Sequence, residues 1–162
     1  MTLDGKPLFT QIKYLKSKGK VCFKFSVNTG NGLEEHDVRL ENAHVDFFSA
    51  MQRMMGHFGQ VMLLPEGYLD DGVVIGVYVR READGMESVK VAVLRPVQGN
   101  REALISSPYA PIGRRSLKNL HELLDEARLC LEGKRATEDL FLSAVDGSED
   151  VALQAKGDLN PN

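Results

Sequence analysis

The sequence of 162 residues has no tryptophan, only two cysteines and no long apolar run. No window approaches the roughly 20 apolar residues of a membrane-spanning helix. The first residues, MTLDGKPLF, lack the apolar core of a signal peptide. Cys22 and Cys130 are far apart in the chain and are typical of buried free thiols in a reducing compartment, with a Cys22–Cys130 bridge as the alternative. We therefore expect a cytoplasmic protein without a membrane span.

Signatures of catalysis and of metal binding are also missing. The glycine-rich stretch NTGNG leads into a strand-like run and lacks the Gly-Lys-Ser/Thr end of a phosphate-binding loop. The four histidines are scattered, unlike the closely spaced ligands of a zinc site, and no Gly-x-Ser-x-Gly elbow occurs. We predict a protein that is not an enzyme, with no catalytic residue, cofactor or metal. The acidic clusters LEEHD and YLDDG leave a metal-dependent nuclease as the third alternative.

The apolar periodicity that is present predicts one α+β domain. Alternating runs on either side of NTGNG predict a hairpin, and GVVIGVYV, SVKVAVL and REALIS predict a meander. Apolar residues at spacings of three and four predict two main helices, near 43–58 with Asn42 as the cap and near 116–132 with Ser116 as the cap. VMLL is predicted as a further short strand. The antiparallel sheet should have about five to seven strands.

Positive and negative charges are concentrated in different parts of the chain. Residues 1–30 carry six lysines against one aspartate, a net charge of +5, whereas the whole chain has a net charge of −3. Residues 137–162 carry six acidic residues against one lysine, a net charge of −5, and their apolar periodicity fades. We predict a single domain over 1–136 and an acidic, largely mobile C-terminal tail over 137–162. Such a tail can recruit a protein partner or compete with nucleic acid.

The lysine-rich stretch FTQIKYLKSKGKVCFKF is predicted to be a hairpin that turns at Lys18 and Gly19. Lys13 would then lie opposite Lys24, an unfavourable pair that invites a counterion, and Tyr14 would lie opposite Phe23. Ile12, Tyr14, Phe23 and Phe25 would face the core, and Lys13, Lys20 and Lys24 would face solvent. If Tyr14 were exposed instead, it could stack on a base. The alternatives are a short helix that begins at Pro7 and a lysine-rich edge that serves only solubility.

Two further pairs of arginines could extend this basic surface. Arg80 and Arg81 end a strand, and Arg114 and Arg115 precede a helix whose N-terminal dipole favours an anion. The predicted nucleic-acid-binding residues are Lys13, Tyr14, Lys16, Lys18, Lys20, Lys24, Arg80, Arg81, Arg114 and Arg115.

These features predict a small protein that binds nucleic acid, with single-stranded DNA or RNA as the expected ligand. The alternative is a non-enzymatic interaction, assembly or inhibitor module that uses the sheet edges or the methionine-rich helix, whose methionines are otherwise core filler. A homo-oligomer is expected in either case, because a meander leaves sheet edges that must be paired or blunted.

Overall fold

A computed structural model describes residues 5–65 and 67–136 and confirms the α+β class. Within these residues, seven strands form one antiparallel sheet in the order β3-β2-β1-β4-β5-β6, and β7 pairs with β5. The strands are β1 Leu8–Leu15, β2 Lys20–Thr29, β3 Gly32–Glu41, β4 Val73–Arg81, β5 Glu87–Val97, β6 Arg101–Ser106 and β7 Ala110–Pro111. The helices are α1 Val45–Arg53, α2 Met55–Met62 and α3 Arg114–Leu131.

The core lies between one face of the sheet and the helices. Alternate residues of the central strands are buried on this face, and Phe23 of β2 and Val77 of β4 are fully inaccessible to solvent. Phe47 and Met54 lie against them from the α1–α2 segment, and Leu120 lies against them from α3. The methionines of α1 and α2 therefore fill the core, as predicted. The opposite face of the sheet has no helix over it among the described residues, and we call it the outer face.

The first predicted helix differs from the observed one at both ends. It begins at Val45, and His44 is its cap, because the His44 Nδ1 accepts a hydrogen bond from the Asp46 amide at 3.0 Å. Asn42, the predicted cap, lies outside the helix in a left-handed conformation with φ 57°. After a break at Met54 the helix resumes as α2.

The predicted strand VMLL is wrong. Val61 and Met62 form the last turn of α2, and Leu63 ends the helix in a left-handed conformation with φ 54°. A short apolar run is compatible with either a buried strand or a buried helix, so periodicity alone could not distinguish the two. The predicted helix end near residue 58 therefore lies within α2.

The last helix agrees with its predicted span to within two residues at each end. Gly113 occupies the cap position, and Ser116, the predicted cap, is buried inside the first turn. Arg114 and Arg115 are therefore the first two helical residues instead of preceding the helix.

The described part of the chain ends beside β3. Lys134 Nζ lies 2.9 Å from both Asp46 Oδ2 and Glu126 Oε1, and so ties the segment to α1 and α3. The hydrogen bond from Lys134 lowers the pKa of Asp46, and the bonds to both carboxylates raise the pKa of Lys134. Ala136 then donates its amide hydrogen to the carbonyl of Asn42 at 2.6 Å. These bonds fix the point from which residues 137–162 continue.

Two further predictions can be compared with the structure, and a third cannot. Cys22 and Cys130 are both free and buried, so the alternative of a bridge between them is wrong. None of the described helices combines the length and the apolar character that crossing a membrane requires. The predicted tail, 137–162, lies outside the described residues, so its mobility and the domain boundary stay predictions.

Candidate nucleic-acid interface

The lysine-rich stretch forms a hairpin, but its register differs from the predicted one by two residues. The loop spans residues 16–19, with a hydrogen bond from the Lys18 amide to the Leu15 carbonyl at 3.0 Å, and Gly19 has φ 65°. The predicted two-residue turn would have required a positive φ at Lys18 as well, which a lysine rarely adopts. Lys13 consequently pairs with Cys22 instead of Lys24. A shift of two residues leaves every side chain on its predicted face.

The first row of side chains on the outer face crosses five strands without a gap. Asp37 of β3 lies opposite Lys24 of β2, which lies opposite Gln11 of β1. Gln11 in turn lies opposite Tyr78 of β4, and Tyr78 lies opposite Lys90 of β5. Directly opposed residues share a face, so these five side chains form a continuous polar and aromatic line.

A second row runs parallel to the first, two residues further along each strand. Arg39 lies opposite Cys22, and Lys13 lies between Cys22 and Gly76. Lys13 is therefore a diagonal neighbour of both Lys20 and Lys24, at about 7–8 Å. The direct Lys13–Lys24 opposition expected from the sequence is absent, but the three lysines do share the outer face.

Two tyrosines and two cations form a cluster at the β4–β5 side of this face. The Tyr78 ring covers Gly76 so closely that a Cβ atom at residue 76 would lie 3.0 Å from Tyr78 Cε1. The Arg80 guanidinium carbon lies 4.3 Å from the centre of the Tyr109 ring. Lys90 Nζ lies 5.2 Å from the Tyr78 ring centre and 5.9 Å from that of Tyr109. We call Tyr78, Arg80, Lys90 and Tyr109 the tyrosine–cation cluster.

The cluster has the groups needed to bind a ligand that carries both negative charge and flat rings. Burial, followed by the proximity of Tyr109, raises the pKa of Tyr78, so its phenol stays neutral at physiological pH. Cation–aromatic contacts at such distances are each worth about 0.5–1 kcal/mol at exposed sites. The cluster thus places positive charge next to the faces of two aromatic rings.

Most cations of the outer face are available to a ligand. Lys20 lies 3.7 Å from Glu41, and Arg80 lies 3.1 Å from Glu82. Four other cations have no carboxylate within 4 Å in the described part of the chain. These four are Lys13, Lys24, Arg39 and Lys90.

Several predicted site residues lie elsewhere. Tyr14 lies on the core face, where its ring meets Phe48 edge-on with the ring centres 4.9 Å apart. Arg81 points to the core side of the sheet, donating to the Phe9 carbonyl and pairing with Glu87. Arg114 and Arg115 begin α3, in the helical layer. The structure therefore groups these residues with the helices and not with the lysines.

The two lysines of the hairpin loop have different surroundings. Lys16 Nζ lies 2.7 Å from Glu102 Oε2, a contact that reaches across β4 and β5 to β6. Lys18 is exposed at the tip of the loop. Of the ten predicted residues, the structure brings Lys13, Lys20, Lys24 and Arg80 together on the outer face.

Sequence reasoning missed four residues of this face: Arg39, Tyr78, Lys90 and Tyr109. A local signal existed for Tyr78 and Lys90, because each lies between two buried valines of its strand and must therefore point away from the core. Only the pairing of β1 with β4, strands far apart in the chain, brings them next to Lys13.

Comparison with known protein families, with characterised proteins and with solved structures gives no match. Among the described residues, no group of three or more His, Cys, Asp or Glu side chains is arranged to hold a metal ion. Asp71, part of the acidic cluster YLDDG, lies with its Oδ1 3.6 Å from the Nε of Arg95.

Proposed function

We propose that the protein binds single-stranded nucleic acid across the outer face of its sheet. The observation that carries this proposal is the composition of a sheet face that no described helix covers. Cations without a carboxylate partner among the described residues lie there together with two tyrosine rings. Proteins that hold single strands combine a positively charged track for the phosphates with aromatic rings for the bases. The outer face has both components in adjacent rows.

The two sides of the outer face would contact different parts of the nucleic acid. Lys13, Lys20, Lys24 and Arg39 lie on the β1–β3 side of the face and would contact phosphates. Lys20 would leave Glu41 to do so, and the other three have no carboxylate partner among the described residues. The tyrosine–cation cluster lies toward β5 and would contact bases. Tyr109 has the more exposed ring, and the Arg80 guanidinium stacked on it provides a second flat surface.

Replacing Tyr109 with alanine tests the stacking role. Tyr109 lies in the loop between β6 and β7 with 36% of its surface exposed, so its loss should change stability little. We expect binding to a labelled single-stranded oligonucleotide to weaken by about 1–3 kcal/mol, the usual value for one base–aromatic stack. Fluorescence anisotropy at fixed salt measures the affinity, and thermal unfolding measures the stability.

Tyr109→Phe is the matched control, because it keeps the ring and removes only the hydroxyl, and it should bind like the wild type. The absence of tryptophan adds a direct readout, since oligonucleotide that stacks on tyrosine should quench the tyrosine fluorescence. Wild-type affinity in Tyr109→Ala would show that this ring does not stack on a base.

The predicted homo-oligomer is a separate proposal that rests on the sheet edges. β3 and β6 end the sheet, and β3 carries four carboxylates that disfavour pairing with a second copy of itself. We therefore place the contact at β6, where Leu104 is 62% exposed. Light scattering at tens of micromolar protein should give a dimeric mass, and a monomeric mass would contradict this prediction. The cytoplasmic location likewise stays a prediction.

A further inference from the structure

We infer that the acidic C-terminal segment, residues 137–162, docks on the outer face and competes there with nucleic acid. The competition with nucleic acid rests on the proposed function, whereas the docking itself needs no nucleic acid. At low salt, the docked segment would inhibit nucleic-acid binding by the outer face.

The starting point of the segment carries the first part of the argument. The amide of Ala136 is held by the carbonyl of Asn42, which directly follows the last residue of β3. That last residue, Glu41, lies opposite Lys20 on the neighbouring strand, with their charged groups 3.7 Å apart. The chain therefore leaves the described region at the Lys20 end of the sheet, beside the helical layer, and has to pass only the β3 edge to reach the outer face.

The length of the segment allows it to reach the whole face. A chain of 26 residues spans at most about 90 Å when fully extended. Six strands side by side, about 4.8 Å apart, make a face roughly 25 Å wide. The segment is thus long enough to reach the tyrosine–cation cluster as well as the lysines.

Charge complementarity supplies the second part of the argument. The segment has six carboxylates and one lysine, and four cations of the outer face lack a carboxylate partner among the described residues. Phosphates would use the same cations, so the segment and a nucleic acid cannot both occupy them. Attachment to the same chain gives the segment a high effective concentration, and salt screens the attraction.

The binding experiment uses the full chain with its six tail acids neutralised: Glu138→Gln, Asp139→Asn, Asp146→Asn, Glu149→Gln, Asp150→Asn and Asp158→Asn. At 50 mM salt this variant should bind a labelled single-stranded oligonucleotide roughly fivefold more tightly than the wild type, and the difference should vanish near 0.3 M salt. The matched control has residues 137–162 in scrambled order, which keeps the charge, and should bind like the wild type.

A second measurement detects docking without nucleic acid. A carbodiimide joins lysine amines to nearby carboxylates, and mass spectrometry should find tail carboxylates linked to Lys13, Lys20 or Lys24 in the wild type. The Lys20–Glu41 pair serves as an internal positive control for the reagent. Added oligonucleotide should reduce the tail links.

The outcomes separate this inference from the proposed function. Tail links together with tighter binding by the neutralised variant support it. Absence of tail links to the outer-face lysines overturns docking, even if the neutralised variant binds more tightly through general repulsion. Tail links in a protein that binds no oligonucleotide, with or without its tail acids, support docking and overturn the proposed function.

Discussion

Replacing Phe23 with alanine is expected to lower the free energy of unfolding by about 3–5 kcal/mol. The Phe23 side chain is fully buried at the centre of β2. Its ring meets those of Phe9 and Phe47 edge-on, with centres 6.0 and 5.6 Å apart, so truncation leaves a cavity between the sheet and α1. Urea unfolding measures the change as a lower midpoint at an unchanged slope.

The neighbouring residue provides the control. Lys24 is exposed on the outer face, and Lys24→Ala should change the free energy of unfolding by no more than about 0.5 kcal/mol. A loss below about 1 kcal/mol in Phe23→Ala would contradict the assignment of this face of β2 to the core, because complete burial of a phenylalanine implies a much larger cost.

Combined replacement of Lys13, Lys20 and Lys24 with glutamine should weaken oligonucleotide binding about 100-fold at 0.1 M salt. Each phosphate contact adds about 0.7 to the salt slope for a single strand, so three lost contacts remove about two units of slope and two powers of ten in affinity at that salt. All sequences should be affected about equally, because phosphates carry no sequence information. A salt titration of the anisotropy signal measures both quantities.

A second triple variant, Arg114→Gln, Arg115→Gln and Lys118→Gln, removes the same charge from the start of α3, in the helical layer. Its affinity should stay within about twofold of the wild type, because these residues lie in the helical layer and would make no phosphate contact on the outer face. This control also tests the sequence-based prediction that Arg114 and Arg115 belong to the site.

Stability decides how the lysine variant is interpreted. It loses only the exposed Lys20–Glu41 pair, and such pairs contribute about 0–1 kcal/mol, so the variant should fold normally. Undiminished binding by a folded triple variant would exclude the lysines as the site. If the wild type binds no DNA or RNA at all, the interaction or assembly module becomes the favoured function.

Much of the fold was predictable because its signals are local. The alternation of Val21, Phe23 and Phe25 with polar residues identifies a half-buried strand and the face that enters the core. The stripe of apolar residues in α3 identifies that helix to within two residues of its ends. Both patterns follow from the geometry of a single element, so no knowledge of its neighbours is needed.

Prediction from local sequence patterns failed where a backbone conformation or a neighbouring element determined the structure. Val61 and Met62 continue a helix, and the chain leaves it only at Leu63, whose left-handed conformation is rare for a leucine. The β1–β2 register shifted by two residues because the loop places only Gly19 at positive φ, which sets the loop length. The spacing of apolar residues indicates neither the end of α2 nor the β1–β2 register.

Lys13 and Lys24 share one face of a hairpin, and this follows from the sequence alone, because side chains alternate along each strand whatever lies beside it. The other residues of that face depend on how the strands are ordered in the sheet. The placement of β4 against β1 brings Tyr78 opposite Gln11, and the return of the chain through β5 adds Lys90. The order of strands in a sheet depends on burying all their apolar faces together, a requirement of the whole chain that no single stretch of sequence expresses.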